Sequence, residues 1–547
     1  MKVFDAVVEI LKREGAEFLS CYPTTPLIDA AASAGLRPLV CRQERVGVGI
    51  ADGFARVSNG KRLGVFTMQY GPGAENAFSG VTTAYADSTP ILLLPLGYAR
   101  SQAGVTPHFS SVRAYAPVTK WVEQVNAPQQ VAEIFRRAFS RLRMGRPGPV
   151  MVELPADVGN EEVPESTLLY EPVKGTRFAP DPQAVDEAAK ALLAARSPLI
   201  HAGQGILYAD ATPELVQLAE LVQAPVMTTL AGKSAFPEDH PLSVGTGAAV
   251  MSRPLLHFLR EADLVFGSGC SFTRHAMSTN IPAGKILVHA TNDPWDINKN
   301  YPVQYPVIGD AKLVLGQLVE AVRDLLGARG RRDRDTASQI KRIREEWLQE
   351  WMPKLTSNDV PINPYRVVWE MMQTFDPRQT ILTHDAGSPR DQIIPFYRAG
   401  GPRSYVGWGK SHALGTGLGL AMGAKLAAPD RLVINVMGDA AFGMVGLDFE
   451  TAVRCQIPIL TIVLNNSAMA IETQALRVAH QRYGARSMGG RYADVARALG
   501  GDAERVEDPA EVAPALRRAR RLTESGRPVL LEFITSEEVA FSHRGGV

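Results

Sequence analysis

Two polar positions that follow neighbouring apolar runs carry the clearest chemical signal in this sequence. Asp439 comes just after the apolar run 431–437, and Asn466 comes just after the run 457–464. The residues between the runs have helical spacing, which predicts a βαβ unit whose parallel strands end at the same edge of a sheet. We therefore expect the side chains of Asp439 and Asn466 to lie close together.

One carboxylate and one amide oxygen are ligands that suit Mg²⁺, because this ion keeps several waters and takes further oxygens from a phosphate group. Gly438, Ala440 and Ala441 are small enough to let backbone N–H groups approach that phosphate at the start of a helix, where the helix dipole favours an anion. Either polar residue alone could equally cap a turn. The two together favour a site for Mg²⁺ and a phosphate group.

The composition of the chain argues against several classes of function. Its 547 residues are too many for one hydrophobic core, and 58 basic against 57 acidic residues give no electrostatic reason to bind nucleic acid or an anionic membrane. Apolar stretches stay shorter than the roughly 18 residues of a membrane span, so we predict a cytoplasmic protein. Four cysteines without a CxxC pair indicate buried thiols, neither a zinc site nor a disulfide framework.

Two segments of unusual composition divide the chain. Residues 159–182 are rich in proline and charge, and residues 327–339 are charged without large apolar side chains. Elsewhere short Val, Ile and Leu runs alternate with helical patterns, which indicates buried parallel sheets. We therefore predict an α/β protein of three doubly wound domains in series, at 1–165, 183–328 and 358–547. The first and third share a plan of strand, Gly-rich turn, helix and strand.

The spacing of Asp439 and the Asn pair that begins 26 residues later resembles the diphosphate and metal motif of thiamine-diphosphate (ThDP) enzymes. The matching family includes acetolactate synthases, pyruvate oxidases and 2-oxo acid decarboxylases. Its motif ordinarily begins Gly-Asp-Gly, and here it begins Gly438-Asp439-Ala440. The resemblance covers nearly the whole chain and implies a Mg²⁺ ion held by the Asp439 carboxylate, the Asn466 side chain and the backbone carbonyl of Ala468.

Two further stretches resemble cofactor contacts of the same family. In 383–391 a Gly-Ser step follows a predicted strand, as the first diphosphate contact does, and in 407–425 a Leu-Gly step matches the segment that supports the bent cofactor. Main-chain groups near that Leu would contact the pyrimidine ring. The implied cofactor-binding residues are Gly387, Ser388, His412, Leu414, Gly438, Asp439, Ala440, Ala441, Asn466, Ala468 and Met469.

Glu44 opens a predicted helix after a short strand, within the stretch 38–56. An acid in a first helical turn is favoured by the helix dipole and needs no other role. The local pattern nevertheless resembles the strand-Glu-helix entry of the family, where the Glu hydrogen-bonds N1′ of the aminopyrimidine. In such enzymes this Glu serves the diphosphate site of another subunit, which implies a homodimer or homotetramer with active sites at the subunit interface.

Acids and bases beside the cofactor decide the fate of the substrate. One Glu lies six positions after Asn466, the spacing of the active-site Glu in pyruvate and indolepyruvate decarboxylases, while Phe109-Ser110 stands where acetolactate synthases have Phe-Gln. A loop His and a helical Glu are also common as solvated side chains. The candidate catalytic residues are Glu44, Gln69, Tyr70, His108 and Glu472.

The central segment departs from the flavin-binding pattern of acetolactate synthases. They bind FAD through a sequence like Arg-Phe-Asp-Asp-Arg, whereas this chain has Cys-Ser-Phe-Thr-Arg-His-Ala-Met at 270–277. The missing charged residues argue against FAD. A pocket that is empty, or that holds ADP or a CoA moiety, is equally compatible with the sequence.

The resemblance implies a ThDP- and Mg²⁺-dependent enzyme that decarboxylates a 2-oxo acid and joins the product to a second carbonyl compound, most like acetolactate synthase. One alternative is simple 2-oxo acid decarboxylation or acyl transfer. Another is a catalytically silent ThDP-fold subunit with a binding or regulatory role. The joint presence of Glu44, Asp439 and Asn466 argues against the silent subunit.

Overall fold

Three parallel sheets of six strands each form the framework of the protein. A computed structural model describes residues 1–164 and 168–544, without the side chain of Arg329. The predicted domain end at 165, part of the first predicted linker and the last three residues of the chain lie outside the described residues. The three-sheet α/β architecture predicted from the sequence is confirmed.

The first sheet has the strand order β2-β1-β3-β4-β6-β5. Its strands are β1 Phe18–Cys21, β2 Arg37–Val40, β3 Gly64–Met68, β4 Ile91–Gly97, β5 Trp121–Gln124 and β6 Val150–Pro155. Its helices are α1 Val3–Arg13, α2 Pro26–Ser33, α3 Glu44–Val57, α4 Pro72–Ala86, α5 Ser111–Tyr115, α6 Val131–Arg143 and α7 Ala156–Asn160. Strands β3, β4 and β6 are buried along their whole length, which explains their uninterrupted apolar runs.

The middle sheet has a different order, β12-β11-β10-β7-β8-β9. Its strands are β7 Pro198–Ala202, β8 Val226–Thr229, β9 Ser243–Gly247, β10 Leu264–Ser268, β11 Ile286–Thr291 and β12 Tyr305–Ile308. Its helices are α8 Pro182–Ala194, α9 Gly205–Tyr208, α10 Thr212–Val222, α11 Arg253–Glu261 and α12 Ala311–Leu326. This is the order of a doubly wound dinucleotide-binding sheet, which reverses direction between β7 and β10.

The third sheet repeats the plan of the first, with the order β14-β13-β15-β16-β18-β17. Its strands are β13 Thr380–His384, β14 Tyr405–Val406, β15 Leu432–Gly438, β16 Leu460–Asn465, β17 Asp502–Val506 and β18 Val529–Ile534. The helices after α12 are α13 Thr336–Leu355, α14 Pro364–Thr374, α15 Ser388–Ile393, α16 Thr416–Ala427, α17 Asp439–Val445, α18 Phe449–Arg454, α19 Arg477–Tyr483, α20 Tyr492–Ala498 and α21 Val512–Glu524. The shared plan of the first and third segments is thus confirmed.

The connections between the sheets differ from one another. Residues 168–181 contain no helix or strand, as expected for the first linker. The second predicted linker is wrong at its end, because α13 begins at Thr336 and runs to Leu355. Ile340 and Trp347 of α13 are buried, so the helix belongs to the packed core and is not a free tether. The charged residues just before Thr336 masked that helical start.

The first and third sheets meet through helices α3 and α16, which cross at glycines. A Cβ on Gly53 would lie 2.2 Å from the carbonyl oxygen of Leu420, and a Cβ on Gly423 would lie 2.1 Å from that of Ile50. Only residues without a side chain allow two helix backbones to approach so closely. The small residues in both stretches therefore fix the distance between the two sheets.

Among the described helices, none has the length and apolar character needed to cross a membrane. All four cysteines are buried and unpaired, as the sequence predicted.

Candidate active site

A small cavity of about 50 Å³ lies at the carboxyl ends of β13, β15 and β16. Ten of the eleven predicted cofactor-binding residues line it: Gly387, Ser388, Leu414, Gly438, Asp439, Ala440, Ala441, Asn466, Ala468 and Met469. His412 is the exception; it is exposed and has a φ of +26°. Residues separated by up to 82 positions in sequence are thus brought to one place.

The topology of the third sheet explains the position of this cavity. Strands β13 and β15 are neighbours, and β13 continues to β14 on one side while β15 continues to β16 on the other. The loops that follow β13 and β15 therefore diverge and leave a crevice, the usual ligand position in an open parallel sheet. Gly387 has a φ of +97°, which a residue with a side chain rarely adopts, so the loop after β13 depends on glycine there.

Asp439 is the first residue of α17 and is only 3% exposed. Its Oδ1 accepts a hydrogen bond from the N–H of Ala440 at 2.8 Å, whereas its Oδ2 is buried without a hydrogen-bond partner among the described residues. Burial raises the pKa of Asp439 to about 6, and nearby backbone N–H groups, including those of Ser467 and Ala468, oppose this shift. A buried acceptor without a donor is costly, and a bound cation would remove that cost.

The two residues of the Asn pair have different roles. Asn465 ends β16, and its amide donates to Glu532 Oε1 at 2.7 Å while its Oδ1 accepts the N–H of Ser467 at 2.9 Å. Asn466 lines the cavity, and its Oδ1 accepts the N–H of Ala468 at 3.0 Å. The first Asn is therefore structural, and the second shares the cavity with Asp439, as the βαβ geometry predicts.

Asp385 supports the start of α16 beside the small cavity, and the sequence analysis did not identify it. This fully buried residue follows β13, and it accepts the N–H of Gly415 at 2.9 Å and the N–H of Gly417 at 2.8 Å. Burial raises the pKa of Asp385 to about 6. These hydrogen bonds fix the start of α16 directly behind Leu414. The sequence did hold a signal for this role, because Asp385 is an acid at the end of an apolar run and lies two residues before Gly387.

Glu44 begins α3 and is 5% exposed. Burial raises its pKa, and a hydrogen bond with the Asn76 side chain is among the contacts that lower it. Its Oε1 lies 3.6 Å from the position that a Cβ on Gly73 would take, so the carboxyl group sits against the first turn of α4. The next residue, Arg45, donates a hydrogen bond to the carbonyl oxygen of Leu414.

The other candidate residues of the first segment lie in the loops that follow the carboxyl ends of β3 and β4. Gln69 and Tyr70 follow β3 and are half-buried, and His108 is exposed. Tyr98, which directly follows β4, contacts both aromatic candidates: its ring centroid is 4.5 Å from that of Tyr70 and 4.3 Å from that of His108. Sequence reasoning missed Tyr98, because a single tyrosine after a strand carries no distinctive signal.

Glu472 lies at the end of a short 3₁₀ helix, Ala470–Glu472, and is half-buried. Its neighbour Ile471 lines the small cavity, whereas Glu472 itself is not part of the lining. The structure thus places Glu472 beside the site without directing it into the cavity.

A second cavity, of about 550 Å³, lies at the reversal point of the middle sheet. The turn after β7, the turn after β10 with its residues 270–273, and Lys410 line this cavity. His201 also lines it; the ring is 5% exposed, and both ring nitrogens lack hydrogen-bond partners among the described residues. Burial lowers the pKa of His201 to about 3, so the imidazole is neutral.

Comparison with protein families gives three matches, each within the part of the chain that forms one sheet and its helices. Residues 1–127 match the description "Thiamine pyrophosphate enzyme, N-terminal TPP binding domain". Residues 185–318 match the central domain of that enzyme family, and residues 385–533 match its C-terminal TPP binding domain.

Individual relatives cover almost the whole chain. The probable acetolactate synthase large subunit of Methanococcus aeolicus is 31% identical over 560 residues, which span 98% of this chain and 92% of that protein. The corresponding protein of Methanocaldococcus jannaschii is 32% identical over 563 residues, with the same coverage of 98% and 92%. The glyoxylate carboligase of Escherichia coli O157:H7 is 29% identical over 564 residues, spanning 98% and 93%.

Proposed function

Because the chain belongs to the thiamine pyrophosphate enzymes, and among them to the acetolactate synthase type, we propose that it is a ThDP- and Mg²⁺-dependent 2-oxo acid carboligase. In this proposal it decarboxylates a 2-oxo acid and joins the remaining fragment to a second carbonyl compound. The names of two relatives, acetolactate synthase and glyoxylate carboligase, support a reaction that forms a carbon–carbon bond.

The observation that carries the proposal is the small cavity, which ten predicted contact residues line, among them Asp439, whose Oδ2 has no hydrogen-bond partner among the described residues. An oxygen donor set with one carboxylate fits Mg²⁺, which completes its shell with water and phosphate oxygens. Asp439, the Asn466 side chain and the carbonyl of Ala468 would hold the ion. Backbone N–H groups at the starts of α15 and α17 would hold the diphosphate.

Glu44 suits the other end of the cofactor because burial raises its pKa. A buried carboxyl group of this kind would form a hydrogen bond with N1′ of the aminopyrimidine. When bound, ThDP supplies a carbon nucleophile for the 2-oxo group and an electron sink for the bond that breaks. Gln69, Tyr70, His108 and Glu472 stay candidates for moving protons on the substrate.

The lining of the small cavity supports an oligomeric enzyme. All of its lining residues lie between Pro364 and Ser536, in the third segment of the chain. Glu44 lies on the first sheet and is not part of that lining. We propose that Glu44 of a second copy completes the site, which makes the enzyme a homodimer or homotetramer.

One alternative activity has a specific observation in its favour. Glu472 is half-buried beside the cavity, at the spacing seen in 2-oxo acid decarboxylases, so protonation without carboligation stays open. A silent subunit is disfavoured because Glu44 and Asp439 are both present and buried.

The large cavity is the place where a nucleotide or flavin would bind. Its neutral His201 and the segment 270–277 lack the charged pattern expected for FAD, so we propose an enzyme that does not require flavin. We further propose domain boundaries at 1–165, 183–328 and 358–547, and a cytoplasmic location.

The test is product analysis on purified protein. Pyruvate and a panel of other 2-oxo acids would be supplied with ThDP and Mg²⁺, and NMR would separate acetolactate from acetaldehyde. We expect carboligation products that disappear when a chelator removes the metal. Glu44→Gln should lower kcat by about 100-fold or more, because a positioned proton-transfer group contributes at least that much.

Glu133→Gln is the matched control, since Glu133 is also an acid in a first helical turn but is exposed. This variant should turn over at the parent rate. Turnover that ignores ThDP and Mg²⁺, or an unimpaired Glu44→Gln variant, would refute the proposed function.

A further inference from the structure

Two side chains of opposite charge bind one peptide unit beside the small cavity. The guanidinium group of Arg45, which follows Glu44 on α3, donates a hydrogen bond to the carbonyl oxygen of Leu414. The carboxylate of Asp385 accepts the N–H of the next residue, Gly415, at 2.9 Å. We call Arg45, Asp385 and the Leu414–Gly415 peptide between them the peptide clamp.

Asp385 uses both carboxylate oxygens to hold the backbone at the start of α16. It is fully buried; Oδ1 accepts the N–H of Gly415, and Oδ2 accepts that of Gly417 at 2.8 Å. The turn depends on glycine at both positions, because Gly415 has a φ of +87° and a Cβ on Gly417 would lie 2.8 Å from the carbonyl oxygen of His384. The buried carboxylate therefore fixes the direction of the turn that carries Leu414.

Arg45 completes the clamp on the carbonyl side of the same peptide. The residue is half-buried, and a Cβ on Gly415 would lie 3.5 Å from Arg45 Nη2. Burial lowers the pKa of Arg45, and the negative charge of Asp385 opposes that shift. The two charges thus act on each other across the peptide that they hold, and hydrogen bonds from a charged donor are stronger than those between neutral groups.

The clamped peptide leads directly into the small cavity. Leu414 lines it together with Gly387, which lies two residues after Asp385, and with Asp439. Arg45 and Asp385 are themselves outside this lining. In a cavity of about 50 Å³, a small movement of the Leu414 side chain changes the space that a ligand can fill. The clamp can therefore influence binding without touching the ligand.

The other end of α16 offers a similar bond that does not reach the cavity. Arg62 Nη1 donates to the carbonyl oxygen of Ala427, the last residue of α16, at 2.8 Å. Like Arg45, Arg62 belongs to the first segment and binds a backbone carbonyl of the third. Arg62 and Ala427 are outside the cavity lining. This pair separates the effect of joining the two segments from the effect of positioning Leu414.

We propose that Arg45 and Asp385 are positioning residues of the cofactor site, which hold the Leu414–Gly415 peptide so that the Leu414 side chain supports the bound cofactor. This inference rests on the proposed function and deepens it, because it adds two charged residues that act through a third. Removal of either charge should weaken ThDP binding even though neither side chain has to contact ThDP.

The experiment measures ThDP binding by calorimetry at saturating Mg²⁺, on the full-length protein. Arg45→Met and Asp385→Asn should each weaken ThDP binding about tenfold, the effect of losing one hydrogen bond to a charged group. Arg62→Met is the matched control and should keep the parent affinity. Urea unfolding without cofactor should show that Arg62→Met loses at least as much stability as Arg45→Met, because Arg62 also pairs with Glu17.

Two further measurements distinguish positioning from a general loss of stability. Millimolar guanidinium chloride, well below the molar concentrations that unfold proteins, should restore part of the ThDP affinity of Arg45→Ala, and sodium chloride should not. The double variant Arg45→Met with Asp385→Asn should lose clearly less affinity than the product of the two single losses, because both residues act on one peptide.

Hydrogen exchange of the cofactor-free protein tests the clamp independently of activity. Amide exchange in the segment 413–418, followed by mass spectrometry, should become faster in Arg45→Met and in Asp385→Asn and stay at the parent rate in Arg62→Met. If Arg45→Met does not fold, the milder Arg45→Gln takes its place, with the same expectation of weaker ThDP binding and faster exchange.

Failure of this inference can be distinguished from failure of the proposed function. Parent-like ThDP affinity in Arg45→Met, or an equal loss of affinity in Arg62→Met, would overturn the positioning role alone, since the parent protein would still bind ThDP. A parent protein that binds no ThDP would overturn the proposed function and the positioning role together.

Discussion

The glycine crossing of α3 and α16 allows a quantitative test of how closely the first and third sheets approach each other. In the Gly53→Ala variant the new Cβ would lie 2.2 Å from the carbonyl oxygen of Leu420 and 2.8 Å from its Cα. A carbon and an oxygen in contact need roughly 3.3 Å. The opposing atoms are backbone, which cannot rotate away, so the two helices must separate by about 1 Å.

This separation sets the size of the expected loss of stability. Overpacking of a filled interior costs about 1–3 kcal/mol, and a clash with backbone belongs at the upper end. Replacing Gly by Ala inside a helix gives back about 1 kcal/mol. We therefore expect Gly53→Ala to lower the free energy of unfolding by about 2 kcal/mol.

Gly316→Ala is the matched control. Gly316 lies within α12, and a Cβ there would meet no atom within 4 Å, so only the helix-propensity gain of about 1 kcal/mol should remain. Urea unfolding followed by circular dichroism would place the two variants about 3 kcal/mol apart. Glu44 begins α3 and Leu414 precedes α16, so a shift of about 1 Å should misplace both predicted cofactor contacts and lower kcat by about 100-fold. Equal stability and equal kcat in both variants would refute the close-crossing argument.

Three further predictions concern substitutions at Asp439, Asp385 and Lys233. Asp439→Asn should weaken Mg²⁺-dependent ThDP binding at least about tenfold in calorimetry, because the ion loses a charged ligand; unchanged affinity would contradict the metal assignment. Burial raises the folded-state pKa of Asp385 from 3.8 to about 6, so its stabilising contribution is complete below about pH 4 and is lost as the pH rises through 6. The free energy of unfolding should fall by about 3 kcal/mol over this pH range, and urea unfolding of Asp385→Asn should not show that fall. If the unfolding free energies of the parent protein and the variant change with pH in the same way, this assignment is wrong. Lys233 Nζ lies 2.7 and 2.8 Å from the two carboxylate oxygens of the buried Glu238. Lys233→Met should therefore lower the free energy of unfolding by about 3–5 kcal/mol, because it leaves a buried charge unpaired, and the double variant with Glu238→Gln should recover much of that loss. Equal unfolding midpoints for the single and double variants would contradict this reasoning.

The parts of the fold that could be predicted from the sequence are those fixed by burial and by sheet geometry. The predicted apolar runs 431–437 and 457–464 overlap β15 and β16, each of which ends one residue beyond its run. A central parallel strand is covered on both faces and reads as a continuous apolar run. The meeting of Asp439 and Asn466 follows, because parallel strands joined by a right-handed crossover end at one edge.

Other features depend on contacts between distant segments and leave no local signature. The sequence does not reveal that Asn465 binds Glu532 on β18 while its neighbour turns to the cavity. It also does not show that Asp385 holds the start of α16, since the Gly415 N–H lies 30 residues further along the chain. The start of α13 at Thr336 was hidden by its charged flank, because tertiary packing and not local composition decides where that helix begins.

Hydrogen bonds within one chain link the two predicted cofactor contacts Glu44 and Leu414. Arg45, next to Glu44, donates to the carbonyl of Leu414, and Asp385 holds the following residue, Gly415. The small cavity is nevertheless lined only by residues 364–536. If Glu44 of a second copy completes that cavity, each chain supplies opposite halves of two different sites, with its own α3–α16 crossing between them. A shift at the crossing would then disturb both sites of a dimer together, so the Gly53→Ala variant should lose more kcat than its modest loss of stability alone would cause.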